Sequence, residues 1–106
     1  MIARFWSART TPALSGVYLN HFSHIVKPQL RQLDGFLGAT VCTRSLQDCA
    51  EILVTTFWES FNAIEAFAGP DRESAVVAPE AAFFLTDYDR RVRHFEIGLT
   101  DSLALA

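Results

Sequence analysis

The segment CAEILVTTFWESFNAIEAF, residues 49 to 67, constrains the fold more than any other part of the chain. A strand with one face in water alternates apolar and polar side chains. The run Ile52-Leu53-Val54-Thr55-Thr56-Phe57-Trp58 does not alternate, which predicts a strand covered on both faces. It passes without a spacer into a short helix: Ser60 is a helix cap, Phe61, Ile64 and Phe67 fall on one side, and Gly69 terminates it. The join at Trp58-Glu59-Ser60 therefore sets a large aromatic ring at the border of the core.

The other elements follow from similar patterns. Ile2 to Arg9 is rich in β-formers and predicts a first strand. Thr11 followed by Pro12 is a helix start, and Leu14, Val17, Tyr18, His21 and Ile25 recur at spacings of three and four. Phe22, Val26, Leu30 and Leu33 widen that stripe around an irregularity at Pro28, and Asp34-Gly35 ends it. Phe36 to Arg44 and Ala50 to Glu59 read as two strands joined by a turn at Ser45-Leu46-Gln47-Asp48. A short helical piece is expected from Asp71 to Val77 and another from Pro79, carrying Phe83, Phe84 and Leu85. Arg91 to Gly98 is the last strand.

This β-α-β-β-α-β order, with right-handed crossovers, closes most simply as a ferredoxin-like α+β fold with a four-stranded antiparallel sheet. Residues 1–98 form the domain and 99–106 a C-terminal tail. Helices are available for one face of the sheet only. A second copy of the sheet is the economical cover for the other, so the expected assembly is a homodimer through the sheet faces.

Charge and composition exclude several partner classes. The formal net charge is −3, and Arg90, Arg91 and Arg93 are interleaved with Asp87 and Asp89 rather than forming a basic stripe, so no nucleic-acid partner is expected. No apolar run approaches the ~20 residues of a membrane helix. The first residues lack the basic start, apolar middle and small-residue site of a secretory signal, and a cytoplasmic location is expected. Cys42 and Cys49 flank the hairpin turn and are expected as free thiols. Thirteen aromatic rings (nine Phe, two Trp, two Tyr) call for a bulky core or an aromatic cavity.

With these elements in order, MIARFW at the start, Asp34-Gly35-Phe36, FWES, AIEAFAG and the closing RRVRHFEI together resemble the antibiotic biosynthesis monooxygenase (ABM) family of dimeric α+β barrels. The resemblance spans about residues 1 to 97. It implies oxidation of a small hydrophobic, polyketide-like aromatic compound by dioxygen, with no cofactor. An activated phenol or enol loses a proton, and its carbanion reduces oxygen inside a closed apolar pocket that stabilises the anion. Trp58 lines up with a tryptophan implicated in such sites. The asparagine that anthrone-oxidising relatives carry four residues before it is Val54 here. Their tyrosine on the following helix falls at Ile64, and their arginine near Val77. Haem-degrading relatives use a histidine in the region of residues 68 to 85, where this chain has none.

Trp58 is thus expected either as a pocket wall or as a core residue capping the sheet, and Trp6 either in the pocket or at the dimer contact. His94, on the same side of its strand as Val92 and Glu96, is the candidate base. Arg4 is the candidate anion stabiliser, with an ion pair to Glu96 as its structural alternative. Tyr18, His21 and Phe83 complete the expected substrate-binding set, while His24 is expected in solvent. No metal pattern accompanies the histidines. The scaffold also admits two other readings: a non-catalytic small-molecule-binding or stress-related dimer, and an isomerase or cyclase that needs an acid/base but no oxygen.

Overall fold

In the computed structural model, residues 1–101 are described, and five strands form one antiparallel sheet. They are β1 (Ile2–Thr10), β2 (Phe36–Ser45), β3 (Ala50–Trp58), β4 (Asp87–Tyr88) and β5 (Arg93–Glu96). The order is β2-β3-β1-β4, and β5 also pairs with β1. β4 pairs with the end of β1 at Ala8 and Arg9, while β5 pairs with its beginning from Ile2 to Phe5. The two short strands share the fourth position: the expected last strand, Arg91 to Gly98, is shortened to β5, and β4 forms ahead of it. The result is the expected ferredoxin-like α+β arrangement.

The helical connection between β1 and β2 is composite. A 3-10 turn (Pro12–Leu14) leads into α1 (Ser15–His21), a π-helical turn (Phe22–Val26) and α2 (Lys27–Leu30). Thr11 precedes it in extended conformation, but its side chain makes no capping bond, unlike the expectation for this residue. Pro28 accounts for the π turn. Its ring would crowd the carbonyl four residues back, and it has no N–H to donate. The helix widens instead, and the Lys27 N–H reaches the Phe22 carbonyl five residues away.

β3 leads into α3 (Phe61–Ala68) as its sequence predicts, with Ser60 Oγ accepting from the Ala63 N–H at 3.2 Å. α4 (Pro79–Ala82) is a single turn. The expected helical piece at 71–77 does not form. Val76 and Val77 are β-branched, and the backbone there pairs with the final strand region: Ala75 N–H donates to Arg90 O at 2.9 Å and Val92 N–H to Glu73 O at 2.8 Å. This correction matters below, because the segment lies over Arg4.

The side-chain period of two separates the faces of the sheet. Even-numbered residues of β1 and β3 face the helices: Ile2, Ala8, Ile52, Val54 and Trp58 join Tyr18, Phe22, Leu30 and Ile64 in one buried cluster. The opposite face carries Ala3, Phe5, Leu53, Phe57 and Phe95, with Ala3 aligned on both Phe57 and Phe95. Phe5 and Phe95 meet edge to face at 5.6 Å, yet Leu53 remains 40% and Phe95 51% exposed. The unalternating run in β3 therefore feeds the core with one set of side chains and leaves an apolar surface with the other. Cys42 and Cys49 are free thiols. Leu99 is exposed, and residues 102–106 of the expected tail lie outside the described residues.

Candidate functional site

Between the helix-facing side of the sheet and the composite helix lies a cavity of about 70 Å³. The sheet contributes Arg4 and Trp6 from β1 and Val54 and Thr56 from β3. The π turn places Phe22 and Val26 on its wall, and α1 places Tyr18 and His21 there. Phe67 of α3 and the segment Val76-Val77-Ala78 close it. The lining is mostly apolar, with few polar groups, as small-molecule sites are.

Arg4 is the dominant polar feature. Only 4% of it is exposed, and among the described residues no carboxylate pairs with it. Its guanidinium donates instead to Arg72 O, to Ser74 O at 2.8 Å and to His94 Nε2 at 2.9 Å. These three bonds use three of its five N–H donors. Its charge also lies 5.7 Å from the centroid of the Phe67 ring. Burial lowers its pKa to about 10, so the group stays cationic at neutral pH. The expected pair with Glu96 is not made. Arg4 lies directly opposite His94 in the β1–β5 register, whereas Glu96 stands opposite Ile2 near the strand's open end.

His94 lies behind Arg4, outside the cavity lining. Its pKa is held below 6.5, first by burial and then by the Arg4 charge. A neutral ring accepting at Nε2 carries its proton on Nδ1. His94 therefore holds the guanidinium in place, and its acceptor nitrogen is already occupied. Phe61 packs edge to face against its ring at 5.6 Å.

His21 does reach the cavity. Its Nε2 is buried with no hydrogen-bond partner among the described residues. Such an atom is uncommon in a folded protein unless a ligand or an ordered water supplies the partner. The ring is steadied between Tyr18 at 6.0 Å and Phe84 at 5.7 Å. Burial raises the Tyr18 phenol pKa, so its hydroxyl remains an O–H donor at the wall. Trp6 also lines the cavity, and its indole N–H is spent on Asp89 O at 2.9 Å. His24 faces solvent, bonded through Nδ1 to Asn20 O at 2.9 Å.

Two expected site residues lie elsewhere. Trp58 is 0% exposed and absent from the lining. It stacks on Phe67 at 5.3 Å, meets Phe36 edge to face at 5.3 Å, and donates Nε1–H to Thr56 Oγ1 at 2.8 Å. It supports two wall residues, Phe67 and Thr56, from the layer behind, which is the capping alternative. Phe83 is 87% exposed and turned away, because the single turn of α4 buries Ala81 and directs Phe84 inward. Sequence reasoning passed over Thr56, Val76 and Val77. The period of two in β3 could have flagged Thr56, but no local pattern announces the non-helical path of 76–78.

No three histidine, cysteine, aspartate or glutamate side chains gather to hold a metal among the described residues. No helix there is long and apolar enough to cross a membrane. Residues 68 to 85 hold no histidine for a haem iron, and the cavity of about 70 Å³ has no room for a porphyrin macrocycle.

No protein-family profile and no curated protein matches the chain. Solved structures do. A Bacillus cereus protein assigned as an antibiotic biosynthesis monooxygenase is similar over 99% of this chain and 98% of its own, with 13% identity and a TM-score of 0.64. The heme-degrader MhuD from Mycobacterium tuberculosis, solved with two hemes bound in its active site, matches 96% of this chain and 100% of its own, with 24% identity and a TM-score of 0.62. The monooxygenase ActVA-Orf6 of Streptomyces coelicolor, in complex with nanaomycin D, matches over 99% and 92%, with 17% identity and a TM-score of 0.56. At these identities the likeness establishes architecture: the chain has the ferredoxin-like α+β fold of the antibiotic biosynthesis monooxygenases.

Proposed function

We propose that the chain is an ABM-type monooxygenase that acts, as a homodimer and without a metal or organic cofactor, on a small hydrophobic aromatic phenol or enol. One observation carries this reading. Among the described residues the buried Arg4 guanidinium has no carboxylate partner, and it faces a cavity walled by apolar side chains. A desolvated cation of this kind favours a ligand that is anionic, or becomes so during reaction.

For an activated methylene beside a carbonyl at the end of the ligand, His21 Nε2 accepts the acidic proton. The pair of electrons left behind spreads onto the carbonyl oxygen, which Arg4 and the Tyr18 O–H stabilise. The carbanion passes one electron to dioxygen, and the two radicals join to form a C–O bond. The peroxide anion recovers a proton from His21. Loss of water then breaks the O–O bond and leaves a ketone. Overall one CH2 and one O2 give one C=O and one H2O, with four electrons moved from carbon to oxygen. His94 positions Arg4, and Trp58 braces the wall through Phe67 and Thr56.

The homodimer is supported by the apolar outer face of the sheet, where Leu53 and Phe95 are exposed beside Phe5 and Phe57. Oxygen uptake with a panel of anthrones and hydroquinones tests the activity. One O2 consumed per ketone formed, lost in Arg4→Met and His21→Phe, is the expected result. Tight binding with no uptake across the panel would leave a binding protein, and turnover independent of oxygen would leave an isomerase or cyclase. A stoichiometric Soret shift on hemin titration would overturn the cofactor-free reading.

A further inference from the structure

A second void, of about 210 Å³, lies between α2 and α3. Val26, Gln29, Leu30, Leu33, Ala66 and Phe67 line it. Three of these, Val26, Leu30 and Phe67, also line the inner cavity. The partition between the two spaces is therefore one layer of side chains thick. Gln29 and Ala66 are exposed, so the outer void reaches the surface, whereas Leu30 is fully buried in the partition.

Volumes decide what each space can hold. An apolar cavity of roughly 150 Å³ takes one benzene ring. The inner cavity, at about 70 Å³, is too small for a ring and suits a polar head group with a water. The outer void has room for a ring but presents only Gln29 as a polar side chain. Together they approach the lower limit of small-molecule sites. The partition also sits where the helix is easiest to deform. Val26 ends the π turn, and Pro28, two residues on, removes a helical hydrogen bond.

We infer that the two voids are one bipartite ligand path: the inner end holds an anionic or enolic head at Arg4 and His21, and the outer void holds the apolar aromatic body, with Val26, Leu30 and Phe67 as the gate between them. The inference rests on the proposed reading of Arg4 as an anion site and adds the ligand's shape and direction of approach. The ligand class is an amphipathic aromatic of at least two fused or linked rings bearing its acidic group at one end.

Fluorescence titration with anilinonaphthalene sulfonate and with naphthoate, alongside calorimetry with benzoate, tests the path in the full chain. Ala66→Trp fills the outer void from an exposed helix position and leaves the core intact. It is expected to weaken naphthoate and anilinonaphthalene sulfonate at least tenfold, and benzoate, whose single ring also enters the outer void, by a smaller factor. Phe67→Ala, which opens the gate, is expected to raise the association rate of naphthoate several-fold. Arg4→Met and, should that variant fold poorly, His21→Phe are expected to weaken all three ligands. If Ala66→Trp leaves naphthoate affinity and association rate unchanged while Arg4→Met abolishes binding, the path is wrong and the anion site stands. If Arg4→Met and His21→Phe both bind like the parent, the anion site itself is refuted.

Discussion

Replacing Gly35 with alanine tests how closely the join after β3 is packed, and through it how the wall of the site is held. Gly35 has φ +84°, in the left-handed region where a side chain costs about 1–2 kcal/mol. A Cβ added there would stand 2.6 Å from the Cβ of Ala63, against an ordinary carbon contact of about 3.5–4.0 Å. Neither partner yields easily. Gly35 O accepts from the Glu59 N–H at 2.8 Å, and the Ala63 N–H is tied to Ser60 Oγ at 3.2 Å. Overpacking of this kind adds about 1–3 kcal/mol, so Gly35→Ala should cost about 2–5 kcal/mol in all. That is a large part of the 5–15 kcal/mol typical of a domain. Urea unfolding followed by tryptophan fluorescence measures it. The diagnostic variant is Gly35→Ala with Ala63→Gly, which removes the clashing methyl at a helix cost of no more than about 1 kcal/mol. The double mutant should recover at least about 1 kcal/mol relative to additivity. Gly69→Ala is the control for strain alone: φ is +89° and ψ −174°, nothing lies within 4 Å of the added Cβ, and about 1–3 kcal/mol is expected. Additive single and double mutants, within about 0.5 kcal/mol, would refute the packing argument.

Trp58→Phe removes the bond to Thr56 Oγ1 and part of the stack on Phe67, and should destabilise by about 1–3 kcal/mol. Naphthoate affinity should change less than threefold at a temperature where both proteins are folded; a selective loss of binding would return Trp58 to the wall. His94 has its folded pKa depressed below the unfolded 6.5, so its stabilising contribution is complete above pH 6.5 and is lost as pH falls through the lowered value. The stability difference between parent and His94→Gln should therefore shrink on acidification from about pH 7.5 to 5. A constant difference would show that the imidazole does not titrate against Arg4. Leu53→Glu with Phe95→Glu charges the outer sheet face and should convert a dimer to a monomer near 11.8 kDa by light scattering, without unfolding it. A parent that is already monomeric would remove the dimer.

The elements were legible because each depends on neighbours in sequence. Ser60 caps α3, Gly69 ends it, and Pro28 distorts the helix where its missing N–H requires. The outer apolar face of the sheet could be inferred from the failure of Ile52 to Trp58 to alternate, since a period of two assigns each side chain to a face. The site was legible only in part. Arg4, Trp6, Tyr18 and His21, all named from the sequence, line the inner cavity, because strand period and helix spacing turn them to the helix-facing side.

Tertiary structure decided what those residues do. Arg4 met His94 and two carbonyls rather than Glu96, because the β1–β5 register and the non-helical path of 71–78 are set by pairings about 70 to 90 residues apart in sequence. Trp58 went beneath the wall rather than into it, because Phe67 returned from α3 to cover its face. The orphaned Nε2 of His21 and the thin partition between two voids arise only when helix and sheet are packed together. Local chemistry determined the strands, the helices and their faces. Cavities and hydrogen-bond partners depend on long-range packing, which no short pattern in the chain encodes.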